Sequence, residues 1–257
     1  WGKSVRANTK AWHSVLKSRQ GQGFSYGPGH NLHMLLFAAS MDGQGAVATQ
    51  AGKDYAKETG NSMYHVLTLL RFGRYDEIPA VTDRPDDDIP GGFWDFAQGY
   101  AAARNGEMDA AQTYLASVQD LAENSTARFR FHDAKELMGL SAAILEGEMK
   151  RLDGHLDAAI DTFQRAVAFD DAQPYDEPEP IPYAARHWLG AALLEAGRYA
   201  EAEQEYRTEL ADHPHNVWSL QGLKVALGAQ GKIDADVDAD YEESTARKDV
   251  WITTSIM

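Results

Sequence analysis

Apolar residues recur along most of the chain at the three- and four-residue spacing of a buried helix face, and single glycines interrupt the pattern. The segments Trp188-Leu189-Gly190-Ala191-Ala192-Leu193-Leu194 and Trp218-Ser219-Leu220-Gln221-Gly222-Leu223 each stop a few residues before such a glycine. A left-handed C-terminal cap costs glycine little and other residues more, so each glycine marks a helix end. The pattern predicts helices near residues 1–19, 29–42, 45–58, 61–72, 75–82, 91–105, 108–123, 127–152, 156–170, 182–196, 199–212, 215–230 and 233–248, and no strands.

One motif repeats across these helices: a glycine, an apolar or aromatic residue two positions on, a small residue three further, and an aromatic four beyond that. It is clearest at Gly154, Leu156, Ala159 and Phe163, and at Gly197, Tyr199, Ala202 and Tyr206. Weaker copies stand at Gly106 with Met108, Ala111 and Tyr114, at Gly73 with Tyr75, at Gly43, and at Gly231 with Ile233. The small residue lets the second helix approach the first, and the aromatic falls on the same face, where it fills the gap between repeats. The unit is a helical hairpin. With Leu189, Gly190, Gly197, Tyr199, Ala202, Tyr206 and Pro214, the stretch 183–214 resembles a tetratricopeptide repeat, and Gly231 follows Gly197 at that repeat's 34-residue period. The remaining glycine intervals of 30, 33, 48 and 43 residues imply specialised central repeats.

The resemblance implies an all-α fold, a right-handed α-α superhelix of about six hairpins in a single domain over 1–257. Irregular repeats fill 1–170, regular ones 183–248, and a tail 249–257. The start at Trp1 fits a second helix, so the first hairpin is expected to be truncated. Between the two halves lies an insertion, 171–182, rich in proline and glutamate; Pro174, Pro178, Pro180 and Pro182 deny it helical hydrogen bonds. The run Gly29-His30-Asn31-Leu32-His33 together with Tyr175-Asp176-Glu177-Pro178 is also similar to a group of longer bacterial tetratricopeptide proteins, a resemblance that implies no established activity.

Charge narrows the partners. The formal net charge is −15, with acids gathered at Asp83–Asp88, Asp170–Glu179 and Asp234–Glu243. Such a field repels phosphate backbones and anionic lipid, which excludes nucleic acid and membrane as expected partners. No apolar stretch approaches the ~20 residues of a membrane span. The absence of cysteine removes disulfides, thiolate catalysis and zinc–thiolate sites. No secretory pattern follows Trp1, and the expected location is the cytoplasm, with an N-terminus that reads as trimmed.

In tetratricopeptide folds the residues 13 and 10 positions before each turn glycine face a concave groove, as the resemblance implies. That register selects His30 and His33 with Asn31 beside them, Phe93 and Phe96, and Ala184 and His187, with Arg130 and Arg186 as cations for a ligand carboxylate. The expected function is a binding scaffold whose groove holds a peptide, a partner-protein segment or a small ligand, without a cofactor. The alternative is a divalent transition metal held by His30 and His33, which share one helix face at i and i+3, with further ligands from His65, His132, His187 or Glu177. His13, His155, His213 and His215 are expected at the surface or in turns. Gly43-Gln44-Gly45-Ala46-Val47-Ala48 follows a predicted helix where a dinucleotide fingerprint needs a strand, and no nucleophile elbow or marked carboxylate pair points to catalysis.

Overall fold

A computed structural model describes residues 1–19 and 27–257. The described chain is all-α apart from one very short ladder. Its helices are α1 (Gly2–Ser18), α2 (Pro28–Met41), α3 (Gly45–Thr59), α4 (Met63–Arg71), a 3-10 helix at Tyr75–Ala80, α5 (Asp88–Arg104) and α6 (Met108–Asn124). After the strands β1 (Arg128–Phe129) and β2 (His132–Asp133) come α7 (Ala134–Leu152), α8 (Leu156–Asp171), α9 (Arg186–Glu195), α10 (Tyr199–Asp212), α11 (Val217–Ala229) and α12 (Ala235–Thr245). Each helix packs chiefly on its neighbours in sequence. None of the described helices is long and apolar enough to cross a membrane.

All six turn glycines, Gly43, Gly73, Gly106, Gly154, Gly197 and Gly231, take left-handed φ values between 67° and 82°. Each closes the same double hydrogen bond. At Gly197 its own N–H donates to the Leu194 carbonyl at 3.1 Å, and the next N–H, of Arg198, reaches back to Leu193 at 2.9 Å. This pairing satisfies carbonyls that a helix end leaves without partners. The repeated motif then sets the packing. Ala202 and Tyr206 are fully buried, and a Cβ on Gly190 or Gly222 would stand 2.4 Å and 2.2 Å from the Tyr206 ring. Tyr206 thus lies flat between the first helix of its own hairpin and that of the next.

Three predicted elements differ. The segment 127–152 does not enter a helix at once: Arg130, at φ 55°, turns a two-residue ladder before α7 begins. The second element of the Gly73 hairpin is a 3-10 helix, since Pro79 lies within it and has no amide hydrogen to donate. The tail 249–257 is no loose end, because Ile252, Ser255 and Ile256 are buried.

The tail and the last hairpin also join the two ends of the array. Trp218 Nε1–H donates to the Ser40 carbonyl at 2.8 Å, Arg247 grips Asp42 with two bonds at 2.8 and 2.9 Å, and the Asp249 carboxylate accepts the amides of Gly45 and Ala46. Across the middle, Trp188 Nε1–H donates to Tyr100 Oη at 2.9 Å, and Phe96, Tyr100, Tyr183 and Trp188 form a chain of tilted and edge-on rings. Trp218→Phe keeps most of the apolar bulk but leaves the Ser40 carbonyl with only the long 3.4 Å bond from the Gly43 amide. It should cost about 1–2 kcal/mol in urea unfolding. An unchanged midpoint would show that this closure adds nothing to stability.

Candidate functional site

The groove-facing register delivers its residues to different places. Phe93, Phe96 and His187 are fully buried, and the two phenylalanines are packing residues with no surface for a ligand. His187 Nε2 faces Ser219 Oγ at 3.1 Å and Asn216 Oδ1 at 3.3 Å. Burial, with help from the Arg71 charge, holds it well below its ordinary pKa and therefore neutral. His30 is exposed, whereas His33, one turn on with the adjacent Asn31, is buried and stacks on Tyr64 with ring centres 4.3 Å apart. Burial and then Arg130 push His33 well below the usual range.

The metal set is dispersed as well. His65 lies among Lys53, Arg74 and Glu77, His132 is bonded to Gln173 and Asp176, and Glu177 is exposed beside the Tyr175 hydroxyl. Among the described residues no three His, Asp or Glu side chains form a group that could hold a metal ion.

What several of these side chains share is the insertion. Arg130 Nε donates to Asp176 at 2.9 Å and its Nη2 to the Pro178 carbonyl at 2.8 Å. His132, 1% exposed, meets Gln173 Oε1 at 2.6 Å and Asp176 Oδ2 at 3.1 Å. Asp176 is itself enclosed, with a side chain only 6% exposed. The positive φ of Arg130 is what swings these two residues off the start of α7 and onto the insertion. The proline-rich segment makes few bonds of its own, such as Tyr175 Oη to Glu177, and is fastened by side chains from more than 40 residues away.

Beneath it lies a cavity of about 260 Å³ between α7, α8 and α10. Among the described residues five acids line it, Asp170, Asp171, Glu179, Glu209 and Asp212, against only Arg186 and His213. Asp170 and Asp171 end α8, while Glu209 and Asp212 stand in the last turn of α10. Two helix C-termini, each a partial negative charge, therefore meet at a cluster of carboxylates.

The local bonds answer this only in part. Asp170 accepts the Ala185 amide at 2.8 Å, but burial, with Glu209 and Glu179 adding to it, pushes its carboxyl up to about 7. Burial likewise raises Glu209 against the opposing pull of His213. Expected at the surface or in a turn, His213 does follow α10, yet its side chain is only 12% exposed. Its Nδ1 meets Glu209 at 2.8 Å and its Nε2 meets Glu179 at 3.0 Å. Burial disfavours its charge, and the bonds to the two glutamates outweigh burial and raise it to about 10. Arg186 is spent on Asp171 and Glu205.

Sequence reasoning counted Asp170 only within an acidic run, expected His213 at the surface or in a turn, and passed over Glu209. The one local signal was Glu209 and His213 at i and i+4, the spacing that brings two side chains together on a helix. Comparison with family models, with curated proteins and with solved structures finds no match.

Proposed function

We propose that the chain is a binding scaffold, an α-α superhelix of tetratricopeptide-type hairpins, whose ligand-binding position is the acidic cavity under the insertion 171–182. The ligand class that fits is a small cation, an amine or guanidinium, either free or as a basic side chain of a peptide or partner protein. One observation carries this reading: five carboxylates and two helix C-termini converge on the cavity with two basic residues to balance them. Burial, with neighbouring carboxylates adding to it, raises the enclosed pair Asp170 and Glu209, and an incoming cation offsets that cost while restoring their ionised form. A cavity of about 260 Å³ admits an extended amine or a single basic side chain rather than a folded segment. Tyr175, 83% exposed at its rim, offers a ring face to the cation.

Titration calorimetry at pH 7.5 with putrescine, agmatine, lysine amide and arginine amide tests the proposal, with acetylated lysine amide as the uncharged control. At least one cation should bind in a saturable, salt-weakened manner, with proton release as Asp170 ionises. Asp170→Asn preserves an acceptor for the Ala185 amide and should weaken binding about tenfold, within the range of one hydrogen bond to a charged group. Failure of all four cations to bind, or equal affinity in Asp170→Asn, would sink the reading.

A further inference from the structure

Arg71, at the C-terminus of α4, is 2% exposed; the Glu209 charge acts on it, but among the described residues no carboxylate bonds it directly. Its guanidinium lies 3.7 Å from the Trp218 ring centre, and among the described residues its one hydrogen bond runs from Nη1 to the Ser255 carbonyl at 3.3 Å. Nε and Nη2 have no partner among the described residues. Those two nitrogens share one edge of the guanidinium plane, the edge that donates two parallel N–H bonds to the two oxygens of a carboxylate. A buried charge normally has such a partner, because leaving it unpaired costs far more than the pair itself contributes.

The surroundings fit an acceptor-bearing guest. Tyr183, fully buried nearby, has a hydroxyl without a partner among the described residues, and the Arg71 charge acts on it. The group now covering Arg71 is the chain's own tail. Ser255 donates to the His187 carbonyl at 2.5 Å and meets Tyr206 Oη at 2.8 Å, while the Met257 carbonyl accepts from Tyr75. A neutral carbonyl is a weak answer to a guanidinium, and it engages the nitrogen away from the orphan edge.

We propose that Arg71 and Tyr183 form an internal carboxylate-binding site, in which the tail 250–257 is a displaceable cover and the ligand carboxylate bonds Nε and Nη2 side-on. It is opposite to the acidic cavity in the charge of its ligand and borders it, since the Glu209 charge reaches Arg71 and the Asp170 charge reaches Tyr183.

The full chain tests this with three carboxylate probes, acetate, succinate and N-acetyl-Ser-Ile-Met, and with the C-terminal amide of that peptide as control. At least one carboxylate should raise the melting temperature saturably, and the peptide amide should not. The arm that acts separates a small free carboxylate from a peptide terminus. Arg71→Met should abolish the shift, and Arg71→Lys, which keeps a charge but loses the planar fork, should weaken binding about tenfold or more. Because Arg71→Met could fail to fold, the same titrations on wild-type protein are followed by nitrogen NMR of arginine Nε groups, where the Arg71 signal should move with the probe. Melting shifts identical in wild type and Arg71→Met, a stationary Arg71 Nε signal at saturation, or no response to any carboxylate would overturn the proposal.

Discussion

Gly222→Ala should destabilise the protein by about 1–3 kcal/mol, although replacing an interior helical glycine with alanine ordinarily gains ~0.5–1 kcal/mol. The reversal comes from Tyr206. A Cβ at position 222 would lie 2.2 Å from Cζ of that ring, and the ring cannot retreat because Gly190, on the opposite side, leaves no more room. The hydroxyl is also held at 2.8 Å by the buried Ser255. The overlap must instead be taken up by a shift between α9, α10 and α11, which propagates to the Trp218 contacts that close the array. Urea unfolding measures the change. In a Tyr206→Leu background the same substitution should become neutral or favourable, since the obstacle is gone, and the two effects should therefore not add. A gain in stability from Gly222→Ala in the wild-type background would show that the ring is not clamped as described.

His213→Gln should cost about 3 kcal/mol near neutral pH, chiefly because it leaves Glu209, 3% exposed, and Glu179 facing each other without a cation between them. The dependence on pH has a defined sign. The folded state raises His213 from an ordinary 6.5 to about 10. Its contribution is therefore complete below about 6.5 and disappears as pH rises through 10. Asp170, raised to about 7, adds to the same trend at lower pH, since ionising it inside the cavity is harder than in the unfolded chain. His33 and His187, both buried neutral, work the other way and erode stability as pH falls below about 6.5. Wild-type stability should decline between pH 6.5 and 10, and His213→Gln should flatten that decline while leaving the acid limb in place. Parallel curves for the two proteins would remove His213 from its role as the cation of the cavity.

The hairpins and their turns were legible because their causes are local. A glycine with positive φ and a small residue five positions later act within one turn and the two helices beside it, and all six predicted turn glycines take that conformation. The proline-rich insertion was legible for the same reason, as missing amide donors break a helix wherever they stand. Burial was not. His30 and His33 share a helix face by spacing, yet one is exposed and the other lies under Tyr64 of α4, because a distant helix covers only part of that face. Arg130 and Arg186 had two readings, as cations for a ligand carboxylate or as partners of the acidic insertion, and the second holds: acidic partners from the insertion, α8 and α10 engage both. Arg71 carried no signal at all, ending a short apolar helix as many surface arginines do. It is buried because α11 and the tail close over it, more than 140 residues along the chain. The sequence by itself determined which segments are helical and at which glycines they turn, since those rules span a single turn, whereas the start of α7 at Ala134 was set by the ladder before it. The tertiary structure alone decided which charges meet, which stay unpaired and where a cavity remains, because each depends on residues that are neighbours only after the two ends of the array have joined.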